Sequence, residues 1–216
     1  MKSLSTTLKN ITALSLIVVA AIFASIKFLD RATAVKITQI LRSSPELHRA
    51  SDAIPDLLLL LVCAGTAIMW TAYFSLTRRR GEYELTKFLR LAATALPVSY
   101  LLKTVLQVSF GRITTRAWVH TFGPMEFHWF HGTGEYGGFP SGHMTVFTSF
   151  FVAVGYCYPH YRLHSFSFLI ILATALIVTD YHFLSDVIAG AYSGFLVTFA
   201  TRRYIEGSYA GSSRIR

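Results

Sequence analysis

Charged residues are scarce in this chain. Asp, Glu, Lys and Arg make up 14% of its 216 residues, whereas soluble domains contain about 25%. The mean hydropathy is +0.47. This composition argues against an ordinary water-soluble domain and predicts a membrane protein.

Cysteine is also rare, and the chain has no internal repeat or low-complexity segment. Its two cysteines, Cys63 and Cys157, fall within or at the end of apolar runs, where they resemble small buried apolar residues. Neither a disulfide framework nor a cysteine metal site is predicted. We expect no metal and no other cofactor.

What the chain has in abundance is long apolar runs. A helix of about 20 apolar residues spans a bilayer, and six runs approach that length. They predict an all-α, polytopic membrane protein, a bundle of six transmembrane helices that forms a single domain over residues 1–216. The predicted spans are residues 11–29, 57–76, 88–110, 141–158, 166–183 and 184–201.

The formal net charge of +9 is best explained by Lys and Arg residues that flank the apolar spans and set their orientation in the membrane. No nucleic-acid partner is therefore expected. Lys and Arg concentrate in cytoplasmic loops, which places Arg78–Arg80 and the C-terminal arginines inside. Both termini are then cytoplasmic, and the protein is predicted to lie in the inner membrane with residues 111–140 facing the periplasm or exterior. The first span is expected to be retained, although residues 2–25 also resemble a signal peptide.

Two connecting segments carry further expectations. Within residues 30–54, the spacing of Ala34, Ile37 and Leu41 suits a short helix on the membrane surface, and a plain loop is the alternative. Residues 111–140 form a long stretch without predicted secondary structure, with six glycines and seven aromatic residues. We expect this segment to be an ordered cover over a site at the outer surface.

Ionisable residues inside or beside apolar spans are functional candidates. The alternation of spans brings five of them to one face although they are far apart in the sequence: Lys103, Arg112, His143, His182 and Asp186. Lys103 has an alternative role, since its side chain could simply extend to the interface. Arg112 could likewise be an ordinary loop cation.

The residue types indicate phosphate chemistry. Two or three cations suit an anion with several oxygens. The sequence Pro140-Ser141-Gly142 is predicted to open a helix, whose first N–H groups and the Ser141 hydroxyl would form an anion site. A histidine can accept a phosphoryl group, a carboxylate four residues later can orient its ring, and a second histidine can protonate the leaving oxygen.

At these residues the sequence resembles the type-2 phosphatidic acid phosphatase family, which shares its superfamily with vanadium haloperoxidases. The second family motif, Pro-Ser-Gly-His, is intact at residues 140–143, and the end of the third, His-x3-Asp, fits His182 and Asp186. The sequence departs from the first family motif, Lys-x6-Arg-Pro. After Lys103, Phe110 stands at the position of the arginine. The nearest arginine is Arg112, and no proline follows it. In the third motif Ala175 and Leu176 replace Ser-Arg. Arg116 or a loop histidine is a candidate to replace that second arginine.

The resemblance implies metal-independent phosphoryl transfer. His182 would attack phosphorus and form a phosphohistidine, His143 would act as the acid, and Asp186 would orient His182. Lys103, Arg112, Ser141 and the Gly142 N–H would bind the phosphate.

The expected function is a lipid phosphatase whose partners are a lipid phosphate substrate and membrane lipids, with no obligate protein partner. Candidate substrates are polyprenyl diphosphate, phosphatidic acid, phosphatidylglycerol phosphate and lipid A. The alternatives are a lipid phosphotransferase and a non-catalytic lipid-phosphate binder.

Overall fold

In a computed structural model, which describes residues 2–42, 57–132 and 134–212, the chain is built from helices. They are α1 (Lys2–Ala24), a π-helical turn (Ser25–Leu29), α2 (Asp30–Arg42), α3 (Leu58–Arg80), α4 (Glu84–Phe110), α5 (Thr115–Thr121), α6 (Gly142–Cys157), α7 (Arg162–Val178) and α8 (Leu184–Ser212). Short 3-10 turns occupy Gly134–Tyr136 and Pro159–Tyr161. The prediction of an all-α polytopic membrane protein is confirmed.

Within the described residues, five helical segments are long and apolar enough to cross a bilayer: Leu8–Leu41, Leu58–Arg79, Glu84–Phe110, Pro159–Val178 and Leu184–Ser208. The remaining predicted span corresponds to α6, which is apolar but has 16 residues. At 1.5 Å per residue it is about 24 Å long. It packs against α4, α7 and α8, so its neighbours cover much of its surface.

The segment after the first span differs from the expectation. Residues 30–42 are helical, but α2 is not a separate short helix, because it continues from α1 through the π-helical turn. Ala34 and Leu41 of the predicted apolar face are buried, and α2 packs against α5 and α8. This face therefore meets protein instead of lipid. The rest of the predicted link, residues 43–54, lies outside the described residues.

The segment 111–140 is also more regular than expected. Gly111 ends α4 in the left-handed region, at φ +56°, and the Thr114 side chain caps α5. Trp118 of α5 is fully buried and its indole N–H donates to the Gly123 carbonyl over 2.9 Å. Arg112 and Phe127 form an isolated β-bridge. The described part of this segment thus has regular structure, and its Trp118 and Val119 pack in a small core with Ala34 and Phe183.

The start of α6 lies against the start of α8, and glycine makes this approach possible. A Cβ atom on Gly190 would lie 2.5 Å from the Ser141 carbonyl oxygen, and one on Gly194 would lie 2.2 Å from the Thr145 carbonyl oxygen. Only glycine can fit at such distances. The Ser141 N–H donates to the Asp186 carbonyl over 3.0 Å. The two sequence motifs are thereby joined through the backbone.

Candidate active site

A cavity of about 330 Å³ opens where the end of α4, the start of α6 and the turn before α8 meet. Four of the predicted site residues line it: Lys103, Gly142, His143 and His182. Gln107, Thr114, Arg116 and Tyr181 line it too. Among the described lining residues there are cations and histidines but no carboxylate, so the cavity suits an anion.

His182 lies in the turn between α7 and α8, because α7 ends at Val178, earlier than the predicted span. Its Nδ1 atom is 3.1 Å from the Gly138 carbonyl oxygen. A carbonyl can only accept, so this hydrogen bond requires a hydrogen on Nδ1, and in the neutral ring Nε2 then has the lone pair. This tautomer leaves Nε2 as the nucleophilic nitrogen of the ring.

Asp186 is fully buried beside His182. Its Oδ2 atom is 3.7 Å from His182 Nδ1, which is longer than a hydrogen bond, and it accepts instead from the Phe183 N–H over 3.0 Å. The carboxylate therefore lies near the His182 ring without a hydrogen bond to Nδ1, and the Gly138 carbonyl is the acceptor instead. Sequence reasoning missed Gly138, since a backbone acceptor has no residue signature.

Arg112 is placed elsewhere than the predicted phosphate contact. Its side chain is fully buried and is absent from the residues that line the cavity. Nη1 donates to Asp186 Oδ1 over 2.6 Å, and Nη2 donates to Asp30 Oδ2 over 2.7 Å. Burial alone would lower the pKa of Arg112, but the Asp186 and Asp30 carboxylates outweigh burial and raise it. Arg112 thus joins two buried carboxylates.

Asp30 and Ser185 complete this buried cluster, and neither was identified from the sequence. The Ser185 N–H donates to Asp30 Oδ1 over 3.0 Å and its hydroxyl donates to Asp30 Oδ2 over 2.5 Å. Arg112 Nη1 is 2.6 Å from the Ser185 hydroxyl oxygen. The one available signal was an aspartate directly after an apolar run, which is costly to bury without a partner.

Ser141 begins α6 as predicted, but its hydroxyl has a structural role. The oxygen accepts from the Met144 N–H over 3.3 Å as a helix cap, and the residue is fully buried. Gly142 faces the cavity side: a Cβ atom there would lie 3.1 Å from Lys103 Cδ. The first turn of α6 and the lysine side chain therefore approach each other closely, as an anion site requires.

Lys103 on α4 is held at the cavity by its neighbours. Its Nζ donates to Gln107 Oε1 over 3.3 Å and lies 4.5 Å from the centre of the Tyr100 ring. Gln107 in turn donates to the Pro140 carbonyl over 3.1 Å. Gln107 links the lysine to the Pro-Ser-Gly-His segment, a role that sequence reasoning did not foresee.

Tyr181 contacts three other residues that line the cavity. Its ring centre is 5.3 Å from that of His143 and 5.3 Å from that of His182. The Arg116 guanidinium carbon lies 4.4 Å from the same ring. Arg116, one of the candidates for the absent motif arginine, therefore lies at the cavity. Leu176, at the family's arginine position, is a buried core residue.

The loop histidines contribute no evident metal site. Within the parts of the chain that the structure describes, no group of three or more His, Cys, Asp or Glu side chains is suitably placed to hold a metal ion. His131 Nδ1 is 2.8 Å from the Trp129 carbonyl oxygen, and the His128 ring packs on Tyr136. The independence of the reaction from metal remains a prediction.

Comparison with known proteins supports the resemblance to the type-2 phosphatidic acid phosphatase family. The model of the PAP2 superfamily matches residues 88–209. A lipid A 1-phosphatase of Rhizobium johnstonii is 31% identical over 140 residues, covering 59% of this chain and 57% of the relative. A lipid A 1-phosphatase of Rhizobium etli is 33% identical over 130 residues, covering 54% and 56%. Each match thus spans little more than half of the relative. No solved structure matches the chain significantly.

Proposed function

The chain belongs to the PAP2 superfamily, and on that premise we propose that it is an integral-membrane lipid phosphatase acting through a phosphohistidine. The observation that carries this proposal is His182, which lines the cavity with Nδ1 bound to a carbonyl and Nε2 available. It shares the cavity with His143, Lys103 and Arg116. A protein that only bound phosphate would need the cations but not a histidine held in one tautomer.

In the proposed first step, His182 Nε2 attacks phosphorus and the bond from phosphorus to the leaving oxygen breaks. His143, protonated at the start, gives its proton to that oxygen. In the second step, water attacks the phosphohistidine while His143 takes its proton. Inorganic phosphate leaves, and both histidines return to their starting states.

The phosphate oxygens are proposed to be held by Lys103, Arg116 and the N–H groups at the start of α6. These donors surround the place where negative charge develops on the transferring group, which is where preorganised donors accelerate the reaction most. Arg112 is not among them, because Asp30 and Asp186 already bind its guanidinium.

Of the candidate substrates, we propose a lipid A-type 1-phosphate, since both relatives are named lipid A 1-phosphatases. The site is proposed to face the periplasm, with the acyl chains remaining in the outer leaflet of the inner membrane. Trp129 and Phe130 are 57% and 75% exposed and suit the membrane–water interface there.

The test compares His182→Ala and His143→Ala on two substrates in detergent. His182→Ala should abolish phosphate release from every ester. His143→Ala should lose about 10²–10⁴-fold on a lipid phosphate, the usual scale of general acid catalysis. It should lose far less on p-nitrophenyl phosphate, whose leaving group needs little protonation, and should still form the phosphohistidine.

His164→Ala is the matched control, because His164 is exposed and lies near the start of α7, whereas His182 follows the other end of that helix. It should behave as the wild type. Equal losses on both substrates for His143→Ala would contradict its role as the acid. Transfer of phosphate to an added lipid in place of release would identify the phosphotransferase. Lipid phosphate binding without turnover would identify a binder.

A further inference from the structure

The first helical segment contributes directly to the buried cluster behind His182. The turn between α1 and α2 places Asp30 against Arg112 and Ser185, 82 and 155 residues further along the chain. Asp30, Arg112 and Asp186 are all fully buried. A membrane anchor alone would have no need of a buried carboxylate at this position, since burying a charge is costly unless it is paired.

The formal charges in this cluster do not cancel. Arg112 contributes +1 and Asp30 and Asp186 contribute −1 each, so the sum is −1 when all three are ionised. Arg112 on its own would neutralise Asp186, the carboxylate nearest His182. Asp30 restores the net negative charge by binding the other end of the same guanidinium.

This charge faces a ring that becomes positive during the proposed reaction. When Nε2 bonds to phosphorus, Nδ1 keeps its hydrogen and the imidazole gains a positive charge. A neutral pair behind the ring would provide little stabilisation of that cation, whereas a cluster of charge −1 in a region without solvent stabilises it strongly. We infer that Asp30 is a positioning residue whose negative charge, relayed by Arg112 and Asp186, stabilises the phosphohistidine. This inference rests on the proposed function.

Asp30 also anchors the N-terminal turn of α8. Its Oδ1 accepts from the Ser185 N–H, one of the donors that a helix start leaves without an intrahelical partner. A purely structural role for Asp30 is therefore the competing explanation. The two explanations differ in what should happen when net charge is changed while hydrogen bonding is largely kept.

The experiment is a charge series. Asp30→Asn makes the cluster neutral, Arg112→Gln makes it −2, and the double variant returns it to −1. Asn has the size and shape of Asp, whereas Gln keeps a polar side chain but is shorter than Arg and cannot bond both carboxylates at once. Asp30→Asn should lower kcat by about tenfold, the effect of one unit charge acting at a distance in a partly screened site. KM should change little, because Asp30 does not line the cavity.

The decisive comparison is the double variant against Asp30→Asn. If net charge matters, Asp30→Asn/Arg112→Gln should recover several-fold in kcat over Asp30→Asn. If Asp30 only holds α8 and Arg112 in place, the double variant should be no better than the worse single variant, which would overturn the inference. The single-turnover rate of p-nitrophenol release, which reports phosphohistidine formation directly, should follow the same order.

Ser185→Ala supplies a second measurement should Asp30→Asn fail to fold. It removes the hydroxyl contacts with Asp30 and Arg112 but no charge, and Asp30→Glu alters the contacts of residue 30 but keeps its charge, so both folded variants should retain kcat within a few-fold of the wild type. A loss of tenfold or more in both would also overturn the inference, because neither variant changes the net charge. A wild-type protein with no turnover and no phosphohistidine would instead contradict the proposed function.

Discussion

Replacing Gly190 with alanine would test whether the contact between α6 and α8 sets the geometry of the site. The new Cβ atom would lie 2.5 Å from the Ser141 carbonyl oxygen and 2.9 Å from Met144 Cβ. Ordinary contacts begin at 3.4 Å, so the two helices must separate by up to 0.9 Å, the difference between 3.4 and 2.5 Å. Backbone atoms form one side of this contact, and they cannot move aside as a flexible side chain can.

Two effects should follow. Overpacking of this kind costs about 1–3 kcal/mol of stability. Separation of α6 from α8 would also stretch the bond from the Ser141 N–H to the Asp186 carbonyl and move His143 away from His182. A misplacement of about 1 Å can cost about 10²-fold in rate, so we expect a loss of that size in kcat for phosphate release from the lipid substrate.

Gly207→Ala is the matched control. Gly207 lies in the same helix and has nothing within 4 Å of its would-be Cβ atom, and alanine is favoured over glycine in a helix by about 1 kcal/mol. This variant should be as active as the wild type and should unfold in detergent at the same or a higher temperature. If Gly190→Ala matched it in both measurements, the close approach of α6 and α8 would not control the site.

Three further predictions concern the ligand, the cation and the orientation. Activity should survive strong chelation and be inhibited by vanadate; loss on chelation with recovery on adding a divalent ion would contradict the phosphohistidine scheme. Arg116→Leu should lower kcat/KM by about 10²–10³-fold, the usual effect of removing a donor to the transition-state charge, and Arg116→Lys should restore part of it; unchanged kinetics in Arg116→Leu would exclude Arg116 as a phosphate ligand. In a variant without native cysteines, a cysteine at Gly134 should react with an impermeant reagent outside the cell, whereas one at Arg79 should not; the opposite labelling would place the site in the cytoplasm.

The features that the sequence predicted well are those with a local or periodic signature. Long apolar runs identified the helices, because spanning a bilayer requires both length and low polarity. The alternation of spans then placed Lys103, His143 and His182 together, and all three line one cavity. Ser141 was expected to begin a helix from the chemistry of Pro-Ser-Gly, and it caps α6.

The features that were missed depend on contacts between distant segments. Asp30 bonds a residue 82 positions away, and no periodicity in a single sequence records such a pair. The Gly138 carbonyl that fixes the His182 ring is a backbone atom. Helix α5 has seven residues, too short to give a clear amphipathic pattern among the surrounding glycines and aromatics.

The position of Arg112 shows why motif spacing has to be read through the local structure. Residues seven apart lie on one face of a helix, so the family's Lys-x6-Arg spacing would place its arginine beside the lysine. Here Phe110 occupies that place, and Gly111 ends the helix with a left-handed residue. Arg112 then follows the turn and enters the buried cluster with Asp30 and Asp186. The nine-residue spacing from Lys103 to Arg112 therefore puts the arginine in a different place in the structure, and it does not act as a small variation of the motif.

Helix α2 links this change to the proposed new phosphate ligand. Its first residue, Asp30, binds Arg112 away from the cavity, while Ala34, one turn later, packs with Trp118 and Val119 of α5. Helix α5 also carries Arg116, which lines the cavity. One surface of α2 thus both engages the arginine of the first motif and supports the helix that supplies another arginine. If Arg116 is the ligand proposed here, the two departures from the family pattern are one coupled rearrangement. The substitution Ala34→Gly should then weaken phosphate binding and raise KM, although Ala34 does not line the cavity. The buried cluster should be unaffected, so the burst of p-nitrophenol at saturating substrate should stay close to that of the wild type.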